Sequence, residues 1–308
     1  MTDHMIDVEW DGARLDRFVR SIFPGMPFHA AQALIRKRKI LLNGKKATGT
    51  DKLKTGDIVK VDESVKSIKP HKDGGMHNST DIRKRFGSIG KEIPVLYEDD
   101  SILVIDKPSG LVVQPGNESQ LGSLLDLLEY YRLEHSAENR TTFRHTPVHR
   151  LDRGTSGVLI VAKTRQEARI LSREFAAGSI EKIYLAIVEG RPEKKSGRIE
   201  NPLKTSKDKI SDTALSKSGK RAVTDFRILR EMPKDRSLLE IRIGTGRTHQ
   251  IRAHMASIGH PVAGDRQYGS TKGQGSSRLL LHSWKTIFDH PEKGRIELTA
   301  PEPTDFRQ

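Results

Sequence analysis

The nine residues His149-Arg150-Leu151-Asp152-Arg153-Gly154-Thr155-Ser156-Gly157 run straight into the apolar stretch Val158 to Val161, and they constrain this chain more than any other segment. Gly-Thr-Ser-Gly is turn chemistry, because glycine reaches backbone conformations closed to other residues and short hydroxyl side chains bond the local backbone. Such a turn sets one carboxylate, flanked by two guanidiniums, at the mouth of a hydrophobic element. Asp152 is then either a turn carboxylate capping the amides of residues 154–156 or an acid group poised for chemistry. The neighbouring arginines and the preceding histidine favour the second reading. A carboxylate held by an arginine stays ionised at neutral pH and serves as nucleophile or base without a cofactor.

The 308 residues suffice for one large domain with a buried core and a small appended one. In residues 1–66, Leu15, Phe18, Val19 and Ile22 recur at helical spacing, as do Ala30, Ala33, Leu34 and Ile35. The second helix runs into Arg36-Lys37-Arg38-Lys39, which either contacts phosphates or is a solvated helix end favoured by the macrodipole. Ile40 to Lys45 reads as a strand meeting an Asn-Gly turn, with Ile58 to Val61 its returning partner. Residues 67–92, poor in apolar groups and containing Pro70 and Gly74-Gly75, read as a linker.

Residues 93–308 carry many short strands and few helices. Strand-turn-strand is expected from Val95 to Gly116, helices at Leu121–Leu133, Gln166–Ala177 and Gln250–Ile258, and strands at Ile183–Val188, Val223–Leu229 and Leu238–Ile243. Lys204 to Arg221 reads as a basic loop. The expected class is α+β, with a mixed, mainly antiparallel sheet behind a small α+β front unit.

A formal net charge of +14 and a pI near 9.8 favour a polyanionic partner such as nucleic acid. The chain has no cysteine, which excludes disulfides, thiolate metal sites and cysteine nucleophiles. No Gly-x-Gly-x-x-Gly follows a strand, and Thr50 stands where a phosphate-binding loop beginning at Gly44 needs lysine. His145/His149 and His249/His254 lack zinc spacing, so no metal or cofactor is expected. With no membrane-length apolar run and no targeting pattern, the expected location is the cytoplasm.

Two further clusters stand out. Gly244-Thr245-Gly246-Arg247-Thr248-His249-Gln250-Ile251-Arg252 ends a strand and opens a helix. It is a capped turn with Thr248 as N-cap, or a set of anion-binding groups with a guanidinium to pair a buried carboxylate. In Lys182-Ile183-Tyr184-Leu185-Ala186, alternation puts Tyr184 and Ala186 on one face, with Tyr184 either a core residue or a stacking partner for a base.

HRLDRGTSGVLIVAK, KIYLAIVEG and TGRTHQIRAHMASIGHPVAGD, in that order, strongly resemble the RluA family of pseudouridine synthases across residues 92–301. The front unit, with Arg14-Leu15-Asp16 and its Asn-Gly-Lys hairpin, resembles the S4 RNA-binding domain. The resemblance implies isomerisation of uridine within RNA, most closely as in the large-subunit ribosomal members. It assigns Asp152 as the essential carboxylate, Tyr184 as the tyrosine that stacks on the base and assists proton removal from an intermediate, and Arg252 as the partner of the aspartate. Arg150 would fill the gap left by the flipped uridine, a gap that costs a few kcal/mol unless filled. Arg247, His249, Arg14, Arg36, Lys37, Arg38, Lys39 and Lys45 are the expected RNA contacts. Asp106, Gln114 and Ile183 depart from the residues common in the family and bear on substrate detail.

The expected partner is RNA, 23S rRNA or the assembling large ribosomal subunit, met by a monomer and without a membrane. Other readings are a synthase acting on tRNA, a non-catalytic ribosome-assembly factor, and a metal-free hydrolase, which would need a second acid or base that the sequence does not offer.

Overall fold

A computed structural model describes residues 1–23, 26–67, 93–113, 123–135, 143–205, 213–216, 218–269, 276–290 and 292–307. Most of the expected linker, with Gln114 and part of the 204–221 loop, lies outside them. The chain forms two compact units: Met1–Gly90 with Leu133–Arg144 and Thr164–Gln166, and Lys91–Arg132 with His145–Lys163 and Glu167–Gln308.

The first unit holds helices α1 (Leu15–Ile22) and α2 (Phe28–Arg36) and strands β1 (Thr2–Met5), β2 (Ile40–Leu42) and β3 (Ile58–Val61). The strands lie in the antiparallel order β1-β3-β2. Leu15, Phe18 and Val19 of α1 pack with Ala31 and Ile35 of α2 and with Ile40, Val59 and Val61 in one core, as their spacing demands. Asn43 and Gly44 both have positive φ, +51° and +73°, the geometry an Asn-Gly turn supplies. Strand β1 was not legible, because Thr-Asp-His-Met has no apolar alternation and the strand exists through its pairing with β3. Helix α2 ends in two backbone bonds, Arg38 N–H to Ile35 O and Lys39 N–H to Leu34 O, both 3.0 Å, which place Arg38 in a left-handed conformation usually given to glycine.

Among the described residues, the second unit is built on a ten-stranded sheet. Its strands are β4 (Val95–Glu98), β5 (Ile102–Lys107), β6 (Thr146–Pro147), β7 (Ser156–Ala162), β8 (Glu181–Glu189), β9 (Ser196–Ile199), β12 (Thr224–Met232), β13 (Arg236–Ile243), β14 (Leu281–His290) and β15 (Gly294–Thr299). They run β4-β5-β7-β14-β8-β13-β12-β9, with β15 beside β14 and β6 beside β7. The β7/β14 pair is parallel and the other described pairs of this sheet are antiparallel, so the sheet is mixed and mainly antiparallel as expected. Strands β7 and β8, consecutive through helix α4 (Arg165–Ala177), do not pair with each other, because β14 lies between them.

Both faces of the central strands are covered, which explains why Ile102–Ile105 and Val158–Val161 read as unbroken apolar runs. Leu103, Ile105, Leu159 and Val161 pack with Leu124 and Leu128 of α3 (Leu124–His135) and with Ile251 and Met255 of α5 (Gln250–Ser257). Ile102, Val104, Val158 and Ile160 face Leu171 of α4 and Phe288. Tyr184 and Ala186 share the first of these cores, as their alternation requires.

Several strands depart from the sequence reading. The 204–221 stretch is not wholly loop: β10 (Leu203–Thr205) and β11 (Thr213–Leu215) form a separate antiparallel pair. Strands β14 and β15 were also missed, since polar His282, Ser283, Lys285 and Thr286 interrupt the apolar pattern of β14.

Candidate active site

Asp152 sits in the loop between β6 and β7, and the β5 end holds that loop from behind. Ser109 Oγ donates to Gly154 O at 2.7 Å, Gly110 N–H to Arg153 O at 2.7 Å, and Arg153 Nε to Gly110 O at 3.2 Å. Lys107, with no solvent exposure, donates from Nζ to Pro108 O (2.9 Å), Leu111 O (2.8 Å) and Arg153 O (3.4 Å). Burial pushes its ammonium down to about 8, against the pull of Asp152 and Asp106. The role of this lysine was not read from the sequence, although its position, the last residue of an apolar strand before proline, was the available signal.

The turn then enters β7 through Gly157, at φ +109°. A Cβ there would lie 2.1 Å from Ser283 O on the parallel strand β14, so only glycine lets β7 and β14 approach. The same Ser283 hydrogen-bonds Tyr184 from β14. Opposite β8, the register of β14 shifts between Ser283 and Lys285, a bulge of the kind that re-aims side chains beside functional sites. Burial pushes the Tyr184 phenol up to about 12, with the Ser283 hydrogen bond acting against the rise and the Asp152 charge adding to it.

Arg252 lies on the first turn of α5. Its Nη1 meets Asp152 Oδ2 at 3.3 Å, while its Nε and Nη2 form a two-pronged bond to Asp265, at 2.6 and 2.9 Å. Burial works against the Arg252 charge, but the bonds and charge of Asp265 and then Asp152 outweigh it, and the guanidinium holds its proton more tightly than usual. Asp265 is wholly buried and also accepts from the backbone N–H groups of Gln267 (3.0 Å) and Tyr268 (3.2 Å). It was absent from the sequence reading, which sought one carboxylate for this arginine and not two.

His249 completes the cluster. Its Nε2 is 3.8 Å from Asp152 Oδ2, and its Nδ1 is 3.0 Å from the Tyr268 hydroxyl. Asp152, His249 and Arg252 line a cleft of about 450 Å³ with Arg150, Tyr184 and Arg247 on its walls. Asp152 keeps 26% of its side-chain exposure there, while Arg252 and His249 keep 11% and 12%. The arrangement presents a carboxylate steadied by one guanidinium edge and flanked by an aromatic ring and an imidazole.

Other expected residues are placed differently. Thr248 does not cap α5; His249 holds the N-cap position in a left-handed conformation, and Gln250 Oε1 accepts from Arg247 N–H and from the Thr245 hydroxyl. His149, whose proximity weighed in favour of an active Asp152, stacks on Phe175 and accepts from Ile160 N–H through Nε2. His254 uses both nitrogens on Thr224 Oγ1 and Asn201 O. In the first unit Arg14 is tied to buried Asp16 and Lys39 to Asp62, while Arg36, Lys37, Arg38 and Lys45 are exposed.

The chain is similar to known proteins in sequence and fold. The RNA pseudouridylate synthase family profile matches residues 101–257, and the S4 domain profile matches residues 13–59. "Ribosomal large subunit pseudouridine synthase D" of Nitrosomonas europaea is 33% identical over 304 residues, covering 96% of this chain and 83% of its own. "Ribosomal large subunit pseudouridine synthase C" of Buchnera aphidicola is 34% identical over 314 residues, covering 98% and 94%. The solved structure of "Human RNA Pseudouridylate Synthase Domain Containing 1" superposes with a TM-score of 0.58 at 25% identity, over 69% of this chain and 84% of that one. With the family profile spanning half of the sequence and these relatives aligned along nearly all of it, the chain belongs to the RNA pseudouridylate synthase family and carries an S4 domain in its first unit.

Proposed function

We propose that this protein isomerises uridine to pseudouridine in 23S ribosomal RNA, with Asp152 acting at the ribose C1′. The observation that carries the reading is Asp152 itself: a part-exposed carboxylate on a cleft, held by a single edge of Arg252. The names of the relatives support ribosomal RNA as the substrate. A base stacked in RNA has to be extruded before its glycosidic bond can be reached. Arg150, exposed on the cleft wall, takes the place of the extruded base, and Tyr184 stacks on the uracil. Arg252 orients Asp152 through the hydrogen bond from its Nη1. Isomerisation conserves atoms and electrons, so the chemistry calls for no redox partner or nucleotide.

Residues 1–66 form an RNA-anchoring domain, joined through 67–92 to the catalytic domain at 93–308. The separate core of the first unit and the exposed Arg36, Lys37, Arg38 and Lys45 support this division. The protein works as a monomer on the assembling large subunit, in the cytoplasm; no described helix is long and apolar enough to cross a membrane.

The test is purified protein on transcribed 23S rRNA, with pseudouridine mapped along the product. Wild type is expected to modify specific uridines and Asp152→Asn none. Pseudouridine formed by Asp152→Asn, or by wild type only on tRNA, overturns the corresponding part of the reading.

A further inference from the structure

Moving the ribose from N1 to C5 of uracil also moves one proton, since C5 loses its hydrogen and N1 gains one. Some group in the cleft has to accept the C5 proton. Tyr184 is ill suited, because its buried hydroxyl is bonded to Ser283 and holds its proton up to about 12. The Lys107 ammonium is turned toward three carbonyls behind the loop. Asp152 and His249 remain.

The backbone of His249 is the telling observation. It sits at φ +54°, ψ +20°, a left-handed conformation uncommon for residues with a side chain, though Asn, Asp and His enter it more readily than others, and its ring makes no capping bond to the helix it opens. Strain of this kind persists where the surrounding structure enforces it, and it gathers at active sites. What it achieves here is aim. The imidazole stands nearly perpendicular to the Tyr268 ring, at 80°, with Nδ1 on the hydroxyl and Nε2 toward Asp152. Tyr268 is fixed through its own N–H by Asp265, the carboxylate that also fixes Arg252.

We propose that His249 is the proton carrier of the isomerisation, a role that rests on the reading of Asp152 given above. With Nδ1–H donated to Tyr268 Oη, Nε2 is the accepting nitrogen. Once the C5–C1′ bond has formed, Nε2 takes the C5 hydrogen as a proton and the C–H electron pair returns to the ring of the base. The resulting imidazolium has the Tyr268 oxygen on one side and the Asp152 carboxylate on the other. Asp265 tempers the nearby Arg252 charge, and Arg247, on the same loop, is exposed to solvent. N1 then receives a proton from His249, directly or through water, and the neutral imidazole is restored with no net gain or loss.

Asparagine tolerates left-handed backbone better than other residues with a side chain, and glycine better still, so His249→Asn and His249→Gly keep the turn and remove the ring. Single-turnover rates are measured for the full chain on transcribed 23S rRNA containing uridine or 5-deuterouridine, with a transcribed tRNA pool as a second arm. Both variants are expected to melt at or above the wild-type temperature and to lose rate on the order of 100-fold. They are also expected to show a larger deuterium isotope effect than wild type, because proton removal has become slow. Tyr268→Phe is expected to lose about tenfold, the worth of one hydrogen bond. Well-folded His249 variants that react at the wild-type rate, or slowly without a larger isotope effect, overturn the role of His249 and assign the base to Asp152. A wild-type protein that forms no pseudouridine in either arm overturns the reading of Asp152 as well.

Discussion

Replacing Gly157 by alanine tests how the two halves of the site are joined. The added Cβ would lie 2.1 Å from Ser283 O and 2.7 and 2.8 Å from the Ser283 carbonyl carbon and nitrogen. All three are backbone atoms of a paired strand, so no flexible side chain can yield. The φ of +109° also opposes any L side chain. Backbone strain of about 1–3 kcal/mol and overpacking of similar size together give a loss of about 2–6 kcal/mol. For a unit of 150–250 residues, that corresponds to a fall in the melting midpoint of about 4–24 °C. Scanning calorimetry of the full chain reads this directly, with Gly246→Ala as the control, since no atom lies within 4 Å of its would-be Cβ. Activity should fall with stability, because Ser283 is the partner of Tyr184. A midpoint within about 2 °C of wild type, less than 1 kcal/mol on this scale, would refute the reasoning.

Lys107→Met takes the ammonium donor from Pro108 O and Leu111 O, while Arg153 O keeps Gly110 N–H, and should cost about 3 kcal/mol, read by urea unfolding at pH 7. The wild-type ammonium titrates near 8 when folded against 10.5 ordinarily, so the unfolded chain binds more protons in between; wild type should gain stability on this variant as pH rises through that window. Burial, with Lys182 adding, holds His149 down to about 3, so its contribution is present above pH 6.5 and is lost as pH falls; His149→Gln, which keeps an acceptor for Ile160 N–H, should spare about 2 kcal/mol of the loss between pH 7 and pH 5. Arg38→Gly relieves a left-handed backbone and should stabilise the first unit by about 1 kcal/mol, while weakening RNA affinity and lowering its salt slope by about 1. Melting curves and filter binding across salt concentrations separate those two effects.

The parts of the fold and site legible in the sequence are those where a local pattern and the tertiary environment agree. The Asn43-Gly44 turn, the α1 and α2 stripes and the β7 run each carry their own signal. Asp152 stood out by its flanking arginines and its turn, Tyr184 and Arg252 were assigned through the family resemblance, and folding brings the three to one cleft. What stayed hidden depends on partners distant in sequence. Strand β1 exists through β3, β14 through three neighbours, and Asp265 matters through a guanidinium thirteen residues earlier. His149 misled for the same reason: adjacency in sequence suggested a role beside Asp152, whereas its ring stacks on Phe175 of α4.

The wedging of β14 between β7 and β8 has a consequence for biosynthesis. As the chain emerges, β7, α4 and β8 are complete nearly a hundred residues before Leu281 begins the strand that joins them. Until then two apolar strands present open edges, the kind of surface that pairs wrongly with other chains. The core of the first unit, drawn from residues between Ile6 and Val65, faces no such wait. A nascent chain can therefore display its RNA-binding surface while its cleft is still missing the strand that carries Ser283. Chains cut short before Leu281 should be insoluble and not merely inactive.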